Sequence, residues 1–137
     1  RMTGEAGLEE SAHALFRAFA QQVRQTPSAF TQLLIALDMA LGPSYEVVIA
    51  GTPGAPDTKS MIQALRRAFV PNKVVLYRPD TNEAPTLTSI APFTANQTPL
   101  GGKATAYVCR NYTCKAPTTS IAEMLATLRP ELARPER

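Results

Sequence analysis

Cys109 and Cys114, with four residues between them in the run CRNYTC, come nearest in type and spacing to reactive chemistry. A C-x-x-C redox pair sits at a helix N-terminus, where the dipole lowers the thiol pKa. Here the spacing is longer, and the first cysteine ends an apolar run, residues 104–109, that reads as a strand. If the chain reverses over residues 110–113, the two sulfurs come within bonding distance. Arg110 and Lys115 then favour the thiolates. Three readings stay open for the pair: structural thiols at a turn, a disulfide, and a redox or metal role. Two cysteines and one distant histidine, His13, do not complete a zinc set.

A second candidate is the loop over residues 51–60, GTPGAPDTKS, between an expected strand and an expected helix. Phosphates often bind at such junctions, which makes Gly51, Thr52, Gly54, Asp57 and Thr58 the residues of a ligand loop. The loop matches neither the phosphate-binding G-x-x-x-x-G-K-[ST] pattern nor G-x-G-x-x-G. Pro53 and Pro56 remove backbone donors, and Asp57 repels an anion, so an ordinary strand-to-helix connection is the competing reading. His13 lies beside the apolar stripe of the first helix and reads as a packed or half-exposed side chain. Glu9, Glu10, Asp38 and Glu46 form no paired-carboxylate signature. Asp38 interrupts an apolar helix. Asn96-Gln-Thr and Asn111-Tyr-Thr match the glycosylation pattern, which recurs by chance. No catalytic residue, metal set or cofactor motif emerges.

The elements that must position these residues are legible from periodicity. Leu8, Ala12, Leu15, Phe16, Phe19 and Val23 recur at helical steps, predicting one amphipathic helix ending near Gln25. Pro27 suits the first turn of a second helix capped by Thr26, with Phe30, Leu33, Leu34, Leu37 and Leu41 as its stripe. Gly42-Pro43 ends it, and the short connection predicts an antiparallel hairpin. Residues 45–50 (YEVVIA) and 73–77 (KVVLY) read as strands either side of a helix capped by Asp57 or Thr58 and bearing Met61, Ile62, Leu65 and Phe69. Strand, helix and strand over so short a stretch make a βαβ unit with parallel strands. Residues 86–91 predict about one helical turn, and 104–109 a third strand. Thr118 or Thr119 caps a last helix bearing Ile121, Met124, Leu125 and Leu128.

Composition narrows the function classes. The chain has 137 residues, 45% of them hydrophobic and 18% charged, and is long enough for one core with an attached helical piece. The net charge of +3 is carried by scattered Lys and Arg. Nucleic-acid binding needs basic residues gathered on one face with stacking aromatics, so no nucleic-acid partner is expected. No apolar run approaches the ~20 residues of a membrane span, so no membrane partner is expected either. Two cysteines are too few for a disulfide-built secreted fold, which makes the cytoplasm the expected compartment. The start Arg1-Met2-Thr3 fits a piece of something longer.

Three blocks carry a resemblance: residues 41–51 (LGPSYEVVIAG), residues 71–76 (PNKVVL) followed by Arg78-Pro79, and residues 104–109 (ATAYVC) with Cys114 and 116–118 (APT). They resemble the C-terminal region of the large thioredoxin-domain-containing proteins related to spermatogenesis-associated protein. Members of that family look like three-part proteins: a thioredoxin-like domain, an α/α six-hairpin barrel similar to N-acylglucosamine 2-epimerases and glycosidases, and an α/β tail. The resemblance implies that residues 1–42 are late barrel helices and residues 43–137 a small α/β domain with its C-terminal helix. It also implies that the partners are the remaining domains of the parent, the thioredoxin-like domain and the barrel. The family's redox motif and any sugar cleft fall outside this chain.

The resulting expectation is an α/β chain with a three-stranded, mainly parallel sheet and flanking helices, preceded by an antiparallel helical hairpin. Its leading functional reading is a non-catalytic accessory domain that completes or caps the barrel and docks the thioredoxin domain. The alternatives are a redox module using Cys109 and Cys114, and a binder of nucleotides or sugar phosphates at the strand ends.

Overall fold

A computed structural model describes residues 3–81, 85–110 and 113–128. The chain divides into two compact units, Arg1–Gly42 and Pro43–Arg137.

The first unit is helical: α1 (Ala6–Ala18), α2 (Ala20–Gln25), a 3-10 turn over Pro27–Phe30 and α3 (Thr31–Leu41). The expected single first helix is broken at Phe19, whose φ and ψ of −98° and 2° leave the helical range. Thr26 makes no side-chain cap. The turn beginning at Pro27 is 3-10 rather than α, with proline in its first position as its fixed φ favours. Phe19 and Phe30 pack at 6.0 Å between ring centroids. Yet no residue of α1, α2 or α3 is buried.

The second unit contains β1 (Tyr45–Gly51), α4 (Pro56–Arg67), β2 (Lys73–Pro79), α5 (Pro85–Ile90), a 3-10 turn at Pro92–Thr94, β3 (Thr105–Arg110), β4 (Thr113–Cys114) and α6 (Ile121–Leu128). The sheet has four strands in the order β2-β1-β3-β4. β1 and β2 are parallel, as the βαβ reading requires. The third strand corrects the expected parallel, three-stranded sheet: β3 runs antiparallel to β1 and a short β4 antiparallel to β3. The reason is the return path. β2 ends at Pro79 beside Gly51, and β3 begins at Thr105 beside Ala50, so the chain re-enters the sheet at the end where it left. A parallel third strand needs a crossover along the whole strand, ~23 Å for seven residues. Among the described residues the one α-helix of the connection, α5, has six residues and reaches only ~9 Å.

One face of the sheet holds the core: Tyr45, Val47 and Ile49 of β1 and Ala106 and Val108 of β3 pack against Met61 and Leu65 of α4 and Met124 and Leu128 of α6. Met61 and Leu65 are one helical turn apart, so α4 presents one stripe. Its last carbonyl region is satisfied from the next strand, where Lys73 Nζ donates to Ala68 O at 3.0 Å and Val70 O at 3.1 Å. Ser120 immediately precedes α6, and its Oγ accepts from the Glu123 N–H at 3.3 Å. The cap therefore lies just after the expected Thr118 or Thr119. The opposite face is covered by the segment after α5, where Ala91, Thr94 and Gln97 are buried. Tyr107 OH donates to Thr98 O at 2.6 Å and Arg78 to Ala95 O at 3.2 Å, which hold that segment on the sheet. No helix among the described residues is long and apolar enough to cross a membrane.

Candidate functional site

Sheet register brings Cys109 and Cys114 together. They face each other across β3 and β4 and are joined by a disulfide, their Cα atoms 3.8 Å apart. The Lys115 N–H donates to Val108 O at 3.0 Å, one step along the ladder. The cysteines therefore occupy a position without ladder hydrogen bonds, where antiparallel strands approach most closely. The two sulfur-bearing residues differ in access: Cys109 is buried and Cys114 is exposed. On the far side of Cys109, Glu46 of β1 is its paired residue, so the row Glu46, Cys109, Cys114 crosses three strands on one face.

Beyond Cys114 the chain keeps to the edge of β3. Ala106 and Thr118 exchange both backbone hydrogen bonds, at 2.8 and 3.0 Å. Between the 108–115 and 106–118 contacts the outer segment carries one residue more than β3. Pro117, which has no N–H to offer, lies in this bulge.

The ligand-loop candidates fall into two groups. Gly51, Asp57 and Thr58 gather at the start of β3. Asp57 Oδ2 accepts from the Ala104 N–H at 2.7 Å and Oδ1 from the Thr58 N–H at 2.8 Å. The hydrogen bond from Ala104, then that from Thr58, holds the Asp57 carboxyl below its ordinary pKa. A Cβ on Gly51 would overlap Thr58 Oγ1 and meet Ala104 Cα at 3.4 Å, so glycine is required here by close approach. Thr58 Oγ1 is buried with no hydrogen-bond partner among the described residues. Gly51 O accepts from the Asp80 N–H at 3.0 Å and from Tyr77 OH at 3.1 Å. Loss of hydration raises the Tyr77 phenol above its ordinary pKa.

Thr52 and Gly54 stand apart from this cluster, exposed, in a turn closed by Ala55 N–H to Thr52 O at 3.2 Å. Pro53 followed by Gly54 at φ +79° is the residue pair of a type II turn. The Asp57 carboxylate at the α4 N-terminus thus ties the loop to the start of β3 and also takes the Thr58 N–H. The helix begins at Pro56, with Ala55 as its N-cap, rather than after Asp57 or Thr58.

The remaining candidates are dispersed. His13 is exposed on α1, its ring 6.1 Å from Phe16 in an edge contact. Asp38 is exposed on α3 and Asn96 in the turn after Thr94. Asn111 lies outside the described residues. Among those residues no group of three His, Cys, Asp or Glu side chains could hold a metal ion. An open groove of about 550 Å³ runs beside β2, lined by Ile62, Leu65, Arg66, Lys73, Val75 and Tyr77. Sequence reasoning overlooked Glu46 as a neighbour of the cysteines. The available signal was strand alternation, which puts Glu46 on one face with Val48 and Ala50. Its partner in β3 depends on a register that alternation does not supply.

The chain is similar to one stretch of spermatogenesis-associated protein 20. It is 31% identical to the Homo sapiens protein over 128 residues, covering 93% of this chain and 16% of that protein. Against the Rattus norvegicus protein the identity is 29% over 123 residues, 90% of this chain and 16% of the relative. The Mus musculus protein is 29% identical over 122 residues, again about nine-tenths of this chain. The chain thus spans about a sixth of the length of these curated relatives. No family model matches it, and no solved structure does.

Proposed function

We propose that this chain is the C-terminal accessory part of a larger protein, with no chemistry required of its helical unit. In this reading residues 1–42 complete a helical layer, the α/α barrel implied by the family resemblance, and the α/β unit caps it and docks the thioredoxin-like domain. The observation that carries the reading is the apolar stripe without a core. Leu8, Leu15, Ile35 and Leu41 are all more than half exposed, Leu41 at 74%, and nothing in α1 to α3 is buried. A large apolar surface of this kind is the mark of an interaction site. The relatives, about six times longer, supply the material to cover it.

The test is to express the 137-residue chain alone and together with the remainder of its full-length protein, and to follow association by size-exclusion chromatography and hydrogen exchange. The expected result is a stable complex with slowed exchange over α1 to α3. A chain that stays monomeric, does not bind the remainder and keeps unchanged exchange in those helices sinks the reading.

A further inference from the structure

The disulfide site has an asymmetry that the accessory reading does not use. Glu46, Cys109 and Cys114 stand in one row across β1, β3 and β4. The first two are buried, at 5% and 3% exposure, and the third is open to solvent. From this we propose that Cys109–Cys114 is a thiol–disulfide exchange site for an external thiol, attacked at Cys114, with Cys109 as the leaving sulfur.

Disulfide exchange requires a thiolate to approach one sulfur in line with the S–S bond, displacing the other. The exposed sheet edge offers that approach at Cys114. At Cys109 the approach is blocked by the sheet and by what covers it. Cys109 leaves as a thiolate inside the sheet, where burial makes that ion costly, so its departure is slow and its return to Cys114 fast. The displaced sulfur therefore takes up a proton or returns to Cys114. This makes the first step readily reversible and leaves the mixed disulfide on Cys114 as the intermediate to be resolved.

The atoms balance with two equivalents of a monothiol. The first thiolate bonds to Cys114 Sγ while the Cys109 sulfur leaves with the S–S electron pair and is protonated. The second thiolate attacks the external sulfur of that mixed disulfide and releases Cys114 as a thiolate, which is protonated in turn. The protein disulfide is reduced by two electrons, and two external thiols become one external disulfide.

The bridge is also placed where opening it disturbs little. Its cysteines are five residues apart in sequence, and a disulfide closing so short a loop constrains the unfolded chain least. Neither cysteine belongs to the core cluster of β1, β3, α4 and α6. The Ala106–Thr118 pairing holds the following segment independently of the bridge. Both redox states are therefore compatible with the folded unit, as reversible exchange demands.

The experiment treats the oxidised 137-residue chain, folded, with millimolar reduced glutathione, followed by alkylation and peptide mass spectrometry. Trypsin sites at Arg110 and Lys115 put the two cysteines in separate peptides. The expected result is a glutathione adduct on the Cys114 peptide at early times, two free thiols later, and a restored bridge on adding oxidised glutathione. A bridge that stays closed throughout, as in a structural disulfide of an oxidising compartment, overturns the proposal. So does an adduct that forms first on Cys109.

Single-cysteine variants check the asymmetry independently. With folding verified by circular dichroism, Cys114 in Cys109→Ser should alkylate about tenfold faster or more than Cys109 in Cys114→Ser. Equal rates overturn the assignment of roles, and the wild-type mapping stands whether or not either variant folds.

Discussion

The two units share one vocabulary of apolar stripes and put it to different uses. In the α/β unit, Met61 and Leu65 of α4 and Met124 and Leu128 of α6 find the sheet residues Val47, Ile49, Ala106 and Val108, and all are essentially removed from water. In the helical unit, stripes of comparable apolar content stay half-wet, and Ile35 keeps 61% of its surface exposed. A helix stripe is a demand for cover, and only a second layer satisfies it. The α/β unit carries its own second layer. The helical unit shows no such layer among the described residues, and in the function proposed above the missing cover comes from a partner.

That contrast can be broken most directly by truncating one residue on each side. Leu65→Ala, in the α/β core, should lower the unfolding free energy by about 2–5 kcal/mol in a urea titration. Leu15→Ala, more than half exposed on α1, should change it by less than about 1 kcal/mol in the isolated chain. Equal losses would mean that the helical unit is stabilised by packing it does not display. In the complex with the rest of the full-length protein, the Leu15→Ala effect should grow.

The next effect in size concerns the tight approach of loop and strand. Gly51→Ala should cost about 1–3 kcal/mol through overpacking, read by thermal denaturation. Adding Thr58→Ala should recover much of that loss, because the clashing Oγ1 is removed with it. Failure of the second change to rescue the first would place the strain elsewhere. Smaller again, Ser120→Ala removes the hydroxyl that accepts the Glu123 N–H and should cost about 1 kcal/mol. Loss of helical circular dichroism confined to α6 would mark it as a capping effect.

The smallest effect separates the units by pH. Asp57 belongs to the α/β unit, and the hydrogen bond from the Ala104 N–H holds its carboxyl below its ordinary pKa. A group depressed in the folded state stabilises above its unfolded pKa, and that stability is lost as pH falls through the folded pKa. Asp57→Asn should therefore flatten the acid limb of the stability curve below about pH 4 and leave the neutral region without a new slope. Stability measured across that range by denaturant titration is the check. An unchanged acid limb would remove the Asp57–Ala104 tie as a pH-sensitive contact.

How far the site was legible follows the same division between local and long-range information. The spacing of Cys109 and Cys114 allowed a bond once the chain reversed, and the β3–β4 register supplies that reversal. Glu46 reads locally as an ordinary strand residue, and only the β1–β3 pairing makes it the neighbour of a cysteine. Asp57 reads as a helix-start residue. Its reach to Ala104, far along the chain, appears only once α4 and β3 are set side by side.

Sequence alone determined most elements of the α/β unit and which of their faces are apolar, because φ/ψ preference, proline and glycine positions and the 3.6- and 2-residue periods act within a few residues. It marked β1, α4, β2 and α6 and the parallel pairing across α4. Only the tertiary structure decided that β3 runs antiparallel, that a two-residue β4 closes on it, that the cysteines are bridged, and that the helical stripes remain uncovered. These outcomes depend on which distant strand edge a segment meets, and on whether a connecting helix is long enough to carry the chain back across the sheet. No local propensity encodes those quantities.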